Sequence, residues 1–330
     1  MAMFKLQQRR TAKRWLAPTL KEFERRKAKL PQPLPNKRST FLEWNYDAEL
    51  FAFSNRLGET FESVLLRQAL TSEDYLKQQR EEQAKLGIED SSPIEDRHNT
   101  TLAKEGRQLM SRYITGYLRH ILNKLPEDGI EAIHSFLMSE PVLANISKLI
   151  GTKDLILTPD EPEPSPSTYA TCLCALVGAL ASSSGPDRAS LFVRDLVVSQ
   201  LAENDVADLW CPSNPWAALQ GVLQRERRSP PEARLAFEAG VGTLLEAYCV
   251  AIFSDKQMLG KGYGENTTIA KEMAAVDSLR RLFGTVDSMS PLPLEPEAGP
   301  TLSQLQPALN APNPSLEQWS LEKLQNVVTK

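Results

Sequence analysis

Histidine and cysteine are scarce. The 330 residues include three His (98, 120, 134) and four Cys (172, 174, 211, 249). The histidines have no ligand-like spacing to one another or to the cysteines, so a metal centre built from them is not expected. There is no Cys-x-x-Cys pair and no disulfide framework. Cys172 and Cys174, two apart, would point to different faces of a helix, and such thiols read as reduced core residues of an intracellular protein. No apolar run approaches the roughly 20 residues that a membrane-spanning helix needs. Apolar content of 41% and charged content of 24% are those of an ordinary globular chain.

Acidic residues are missing from the first 21 positions, and the charge is accordingly lopsided. Residues 1–38 carry twelve Lys/Arg against Glu22 and Glu24, which is +10 within a chain of net charge −4 and leaves −14 for the rest. Two readings fit a basic, acid-free start. One is a mitochondrial targeting peptide; the other is a basic arm that lies along nucleic acid through Arg9, Arg10, Lys13 and Arg14. The arm, taken as residues 1–46, contains the helix-breaking PQPLP at 31–35.

Apolar periodicity then predicts helices. Phe51, Phe53, Leu57, Phe61, Leu65, Leu66 and Leu70 mark an apolar face with a turn at Gly58. A polar helix or extended loop follows over 71–88, a loop over 91–99, and further helices over 102–125, 129–139 and 141–150. The proline-rich piece at 158–168 reads as a surface loop inside one domain. The segment after it, 169–182, is small and apolar all round, which places it inside a bundle. A helix over 187–201 completes this domain, taken as 47–203, with Leu191, Phe192, Leu196, Val197 and Leu201 on its apolar side.

A second domain is expected over 213–284. It begins with a helix over 215–224 and a strand over 232–238. Alternation of Tyr248, Val250 and Ile252 with Cys249, Ala251 and Phe253 gives a further strand, and a turn at 254–256 leads into 257–263. Asn266 is placed as an N-cap and Gly284 as the C-terminal stop of a closing helix, with Ile269, Met273, Val276, Leu279 and Phe283 as its apolar face. Ala270, Ala274 and Ala275 would let that helix lie close to a sheet. Residues 285–330, with seven prolines and five acids, read as a mostly disordered tail with a short helix at 315–328.

The stretch GYGENTTIAKEMAA resembles the C-terminal half of a double-stranded-RNA-binding domain, whose motif runs roughly G-x-S-K-K-x-A-K-x-x-A-A. It stands here as Gly264, Asn266, Thr267, Thr268, Ala270, Lys271, Ala274 and Ala275, so that Thr267–Thr268 replaces the lysine pair that grips phosphates. The helical part resembles the RNase III family, through RLGETFESVLLRQALTSEDY and, at 174–180, CALVGAL. The two resemblances, in the family's own order, cover roughly 47–284. They imply an all-helical RNase III-like domain followed by an αβββα module (α plus α+β). They also imply RNA contact through Asn266, Thr267, Thr268, Lys271 and the basic run Arg225, Arg227 and Arg228.

The family cuts RNA with Mg²⁺ held by carboxylates, because a hard divalent ion requires anionic oxygen ligands. Aligned on Asn99, Leu102 and Gly106, the first group of acid positions falls on Thr100, Ala103 and Arg107. The second falls on Thr171 and Cys174. The resemblance, so altered, implies neither catalysis, nor a bound metal, nor a cofactor. A degenerate nuclease domain, a degenerate RNA-binding domain and a basic start together resemble a family of mitochondrial large-ribosomal-subunit proteins. Expected partners are then the large-subunit rRNA and neighbouring ribosomal proteins, with self-association or pairing with another RNase III-like ribosomal protein. The competing class is an active endoribonuclease on structured mitochondrial RNA. A third is an assembly factor that does not remain on the particle.

Overall fold

The structure is a computed structural model that describes residues 18–29, 38, 41–86, 98–159, 163–286 and 299–321. The chain divides into two units, Met1–Asn45 and Tyr46–Lys330. In the first, residues 18–29 form helix α1, in which Glu22 lies 3.8 Å from Arg25 and 3.3 Å from Arg26. Arg9, Arg10, Lys13 and Arg14, expected to contact RNA, lie outside the described residues.

The second unit opens with α2 (Tyr46–Leu57), α3 (Ser63–Leu70), α4 (Glu73–Leu86), α5 (Thr100–Ile121), α6 (Glu127–Leu137) and α7 (Glu140–Leu149). Gly58, at φ 67°, makes the turn after α2, a backbone conformation that glycine adopts without a Cβ clash. Next come α8 (Pro166–Ser184) and α9 (Pro186–Leu196). Among the described residues of this part, strand pairing is limited to an isolated bridge between Thr71 and Leu157.

Helix α8 is the core. Ser165 caps it by accepting from the Thr168 amide, which satisfies one of the orphan donors of the first turn. Every residue from Cys172 to Leu180 is buried, as an all-round apolar helix requires. The apolar faces expected for its neighbours were partly misassigned: Phe53 is buried, but Phe51 is exposed. On α9 the buried set is Ala189, Ser190, Phe192, Val193 and Arg194, while Leu191 and Leu196 are half-buried. The helix also ends at Leu196, and a 3-10 turn, Val198–Glu203, completes the expected span.

The α–β–β–β–α module follows, after a short helix α10 (Val206–Leu209). Its elements are α11 (Pro215–Arg225), β1 (Glu232–Ala239), β2 (Ala247–Ser254), β3 (Gln257–Gly264) and α12 (Thr267–Phe283), with an antiparallel sheet ordered β1-β2-β3. Asn214 caps α11, and Asn266 caps α12 by accepting from the Ile269 amide. Gly284 closes α12 at φ 72°. The helical part followed by this module is the fold class expected from the sequence.

The buried face of α12 is the expected one at Leu279, Phe283 and the three alanines, but not at Ile269 and Met273. Ala270, Ala274, Ala275, Ser278, Leu279 and Phe283 are buried, whereas Ile269 and Met273 are exposed. The reason lies in β3. A Cβ on Gly262 would stand 2.1 Å from the Ala274 amide nitrogen, and one on Gly264 2.6 Å from that of Ala270. Helix and strand meet backbone to backbone through the small residues Ala270, Ala274 and Ser278.

The tail is a second correction, because residues 299–321 pack against the rest of the unit. They carry helix α13 (Gln306–Asn310); of the helix expected over 315–328, residues 315–320 are not helical, Leu321 is, and 322–328 lie outside the described residues. Leu305 and Trp319 are buried, and proline content alone concealed these anchors. Arg119 pairs with Glu127 at 2.5 Å and donates to the Leu309 carbonyl at 3.0 Å. Glu127 accepts in turn from the Asn313 amide, and the Asn313 side chain donates to the carbonyls of Leu122 and Leu125. At the start of this strap, a Cβ on Gly299 would fall 1.8 Å from the buried Arg194 guanidinium, so only glycine passes there.

Candidate nucleic-acid interface

Helices α5 and α8 carry the five residues that the resemblance placed at metal-ligand positions. Two glycines bring the helices into backbone contact. A Cβ on Gly106 would lie 1.9 Å from the Cys174 carbonyl oxygen, and one on Gly178 2.2 Å from that of Leu102. Around this crossing Ala103 and Cys174 are buried, Thr171 is half-buried and Arg107 is exposed. Burial pushes the Cys174 thiol up to about 11, with the Arg107 charge acting in the opposite direction. Thr100 is one turn away at the exposed start of α5, its Oγ1 2.9 Å from His98 Nδ1.

Side chains at this crossing therefore offer a methyl, a guanidinium, a hydroxyl and a protonated thiol. That donor set does not fit a hard divalent ion. Among the described residues no group of three or more His, Cys, Asp or Glu is placed to hold a metal. Burial also pushes the Cys172 thiol well above its ordinary range, so both thiols of α8 are protonated core groups.

The expected RNA-binding residues of the second module fall into two separate places. Asn266, Thr267 and Thr268 are exposed at the N-terminus of α12, where helix amides and the macrodipole favour an anion. Lys271 lies one turn further on, its ammonium 3.8 Å from the centre of the Trp216 ring on α11. The ring fixes the direction of the long lysine side chain while leaving its charge intact.

Arg225, Arg227 and Arg228 lie at the far end of α11 and do not join that group. Arg225 donates to the Trp319 carbonyl at 2.9 Å and to the Leu316 carbonyl at 2.8 Å, so it is engaged in holding the strap. Arg228 meets Asp255 at 3.5 Å and Gln257 at 3.0 Å in the β2–β3 turn. Arg227 is exposed, with a left-handed φ of 56° just past the helix.

Sequence reasoning missed the junction between the two folded parts. Phe283, at the end of α12, meets Trp319 of the strap edge-on at 5.2 Å and Trp210 at 6.0 Å. Trp319 Nε1 donates to the Lys124 carbonyl at 2.7 Å, and Arg280 pairs with Asp205 at 2.8 Å. The available signal was a lone tryptophan among the spaced leucines 302, 305, 309, 316 and 321 of a proline-rich segment.

Comparisons with known proteins agree with this layout. Residues 45–180 match the family model described as large ribosomal subunit protein mL44, endonuclease domain. Residues 210–320 match the MRPL44 dsRNA-binding domain, a span that takes in the strap. The large ribosomal subunit protein mL44 of Caenorhabditis elegans is 31% identical over 301 residues, covering 88% of this chain and 75% of that protein. Ribonuclease 3 of Symbiobacterium thermophilum is 29% identical over 188 residues, 56% of this chain and 78% of that one. Among solved structures, the nuclease domain of ribonuclease III from Campylobacter jejuni is similar at 21% identity and a TM-score of 0.36. It covers 45% of this chain and 94% of its own.

Proposed function

The chain belongs to the mL44 family of large-ribosomal-subunit proteins, and from that premise we propose that it is a structural, RNA-binding component of the mitochondrial large ribosomal subunit, contributing to assembly and stability of the particle. The observation that carries this reading is the match to the mL44 relative over most of both chains, with the two family models in the same order. No helix among the described residues is long and apolar enough to cross a membrane. The matrix ribosome is the location this reading assigns.

In this proposal the chain works as a scaffold of four parts: a basic arm at 1–46, a nuclease-like body at 47–203, an RNA-binding-like module at 213–284 and a C-terminal segment at 285–330. Phosphates of the rRNA meet Lys271, Asn266, Thr267 and Thr268, together with Arg9, Arg10, Lys13 and Arg14 of the arm. Arg225, Arg227 and Arg228 at the end of α11 form a further contact, with Arg225 and Arg228 oriented by their bonds to the strap and the β2–β3 turn. The body is not an enzyme, because Thr100, Ala103, Arg107, Thr171 and Cys174 stand where carboxylates would be required. Neighbouring ribosomal proteins are its other partners, through self-association or pairing with a second nuclease-like subunit.

Sedimentation of mitochondrial extracts at high salt tests the assignment. The protein should travel with the large subunit at a salt concentration that strips loosely bound factors. Recovery at the top of the gradient would identify an assembly factor instead.

A further inference from the structure

The module's β1–β2 hairpin does not behave as half of a packed sheet. Helix α12 packs on β2 and β3, while all eight residues of β1 are exposed. Leu235, Phe237 and Val241 lie open to solvent, and Leu244 and Leu245 at the tip are 103% and 85% exposed. Two adjacent leucines almost wholly in water mark an interaction surface rather than a scattered apolar residue.

The tip is also held in one shape. Gly240 takes φ 67°, and a Cβ there would stand 2.4 Å from the Leu245 carbonyl. Thr243 Oγ1 donates to the Gly240 carbonyl at 2.6 Å, and the Gly242 amide donates to Glu246 at 2.7 Å. The leucines are thus presented outward by a fixed turn, which reduces the ordering cost of burying them against a partner.

Charge decides what that partner is. Residues 232–246 carry Glu232, Glu238 and Glu246 against Arg234, a net charge of −2, which repels a phosphate backbone. The bulge between Leu235 and Phe237 breaks the edge register, and such bulges oppose strand addition. We propose that the β1–β2 hairpin is a protein-docking surface, in which Leu244 and Leu245 enter an apolar pocket of a neighbouring subunit whose rim carries Lys or Arg. The module then carries an RNA contact at the start of α12 and a protein contact at the hairpin, both at the end of the sheet where Ala239 pairs with Ala247 and Tyr248 with Gly264. The inference rests on the ribosomal reading above.

A benzoyl-phenylalanine at position 244 of the full chain, photolysed in intact large subunits, tests the docking. The expected adduct is an apolar peptide flanked by Lys or Arg from another protein of the particle. The double substitution Leu244→Ser, Leu245→Ser should lower the fraction sedimenting with the subunit about tenfold. Glu238→Lys should lower it about threefold. In both variants the thermal midpoint should be unchanged, and in the serine pair affinity for a duplex RNA should be unchanged as well. Adducts to rRNA, to a second copy of this chain or to nothing would overturn the proposal, as would full retention of the serine pair. A wild-type chain that fails to sediment with the subunit would refute the ribosomal reading, and this inference with it.

Discussion

Replacing Trp319 by Ala removes a fully buried indole that joins three parts of the fold. Its ring meets Phe283 at 5.2 Å, and its Nε1 donates to the Lys124 carbonyl at 2.7 Å. Truncating a buried tryptophan costs about 3–5 kcal/mol, and that figure already absorbs the lost hydrogen bond. The strap keeps other ties, among them buried Leu305, the Arg119–Glu127–Asn313 cluster, two bonds from Arg225 and the amides of Leu316 and Leu321 on Asp128 and Glu226. Hydrogen bonds to charged groups contribute about 1.5–3 kcal/mol each, so the loss is comparable to the two Arg225 bonds together. The strap should therefore open locally before the core unfolds. Hydrogen exchange at 299–321 should accelerate at least about a hundredfold, as 3 kcal/mol implies, and limited proteolysis should cut there. Trp319→Phe keeps an aromatic edge but loses the donor, and should give a smaller effect of about 1–3 kcal/mol. Unchanged exchange and proteolysis in Trp319→Ala would refute the idea that this residue anchors the junction.

Three further outcomes follow from other parts of the structure. Gly106→Ala improves helix propensity by about 1 kcal/mol, yet its Cβ would lie 1.9 Å from a backbone oxygen of α8; the contact should win, with destabilisation of about 1–3 kcal/mol or more in urea unfolding, and any stabilisation would contradict the close crossing. Burial lowers the pKa of His134, with Glu131 opposing. The unfolded chain therefore binds this proton more readily, so stability should fall as pH drops from the ordinary histidine value of about 6.5 to the lower folded value. His134→Gln should flatten that slope in thermal scans between those limits. Purified protein should not cleave duplex RNA in Mg²⁺ or Mn²⁺; metal-dependent cutting, abolished by changing a carboxylate near the α5–α8 crossing, would return the chain to the nuclease class.

Local signals in the sequence were readable where they acted over a few residues. Asn266 and Gly284 bound α12 as their types require, and the all-apolar run of α8 announced its burial. What was not readable depended on distant partners. Ile269 and Met273 were misjudged as buried because the alternating glycines of β3 draw the helix in through Ala270 and Ala274 and leave both larger residues at the exposed margin. The part Arg225 plays in holding the strap was not readable because the carbonyls it donates to, at Leu316 and Trp319, come more than ninety residues later. Prolines in the tail suggested disorder, whereas Leu305 and Trp319 find ready-made sites on the body. At the candidate site, Thr100, Ala103, Arg107, Thr171 and Cys174 were legible as residue types at the positions the resemblance aligns with carboxylates. The Gly106–Gly178 crossing that closes the space around them was not, since neither glycine signals its partner.

A map of ultraviolet crosslinks between the full-length protein and mitochondrial RNA in intact cells tests the central claim most directly. The account predicts crosslinks concentrated on one region of the large-subunit rRNA, with adducts on the arm around Arg9–Arg14 and on the 266–271 stretch, and none enriched at RNA ends that a nuclease would generate. Crosslinks spread over precursor transcripts and clustered at processing sites, with adducts at Arg107 and Cys174, would contradict it.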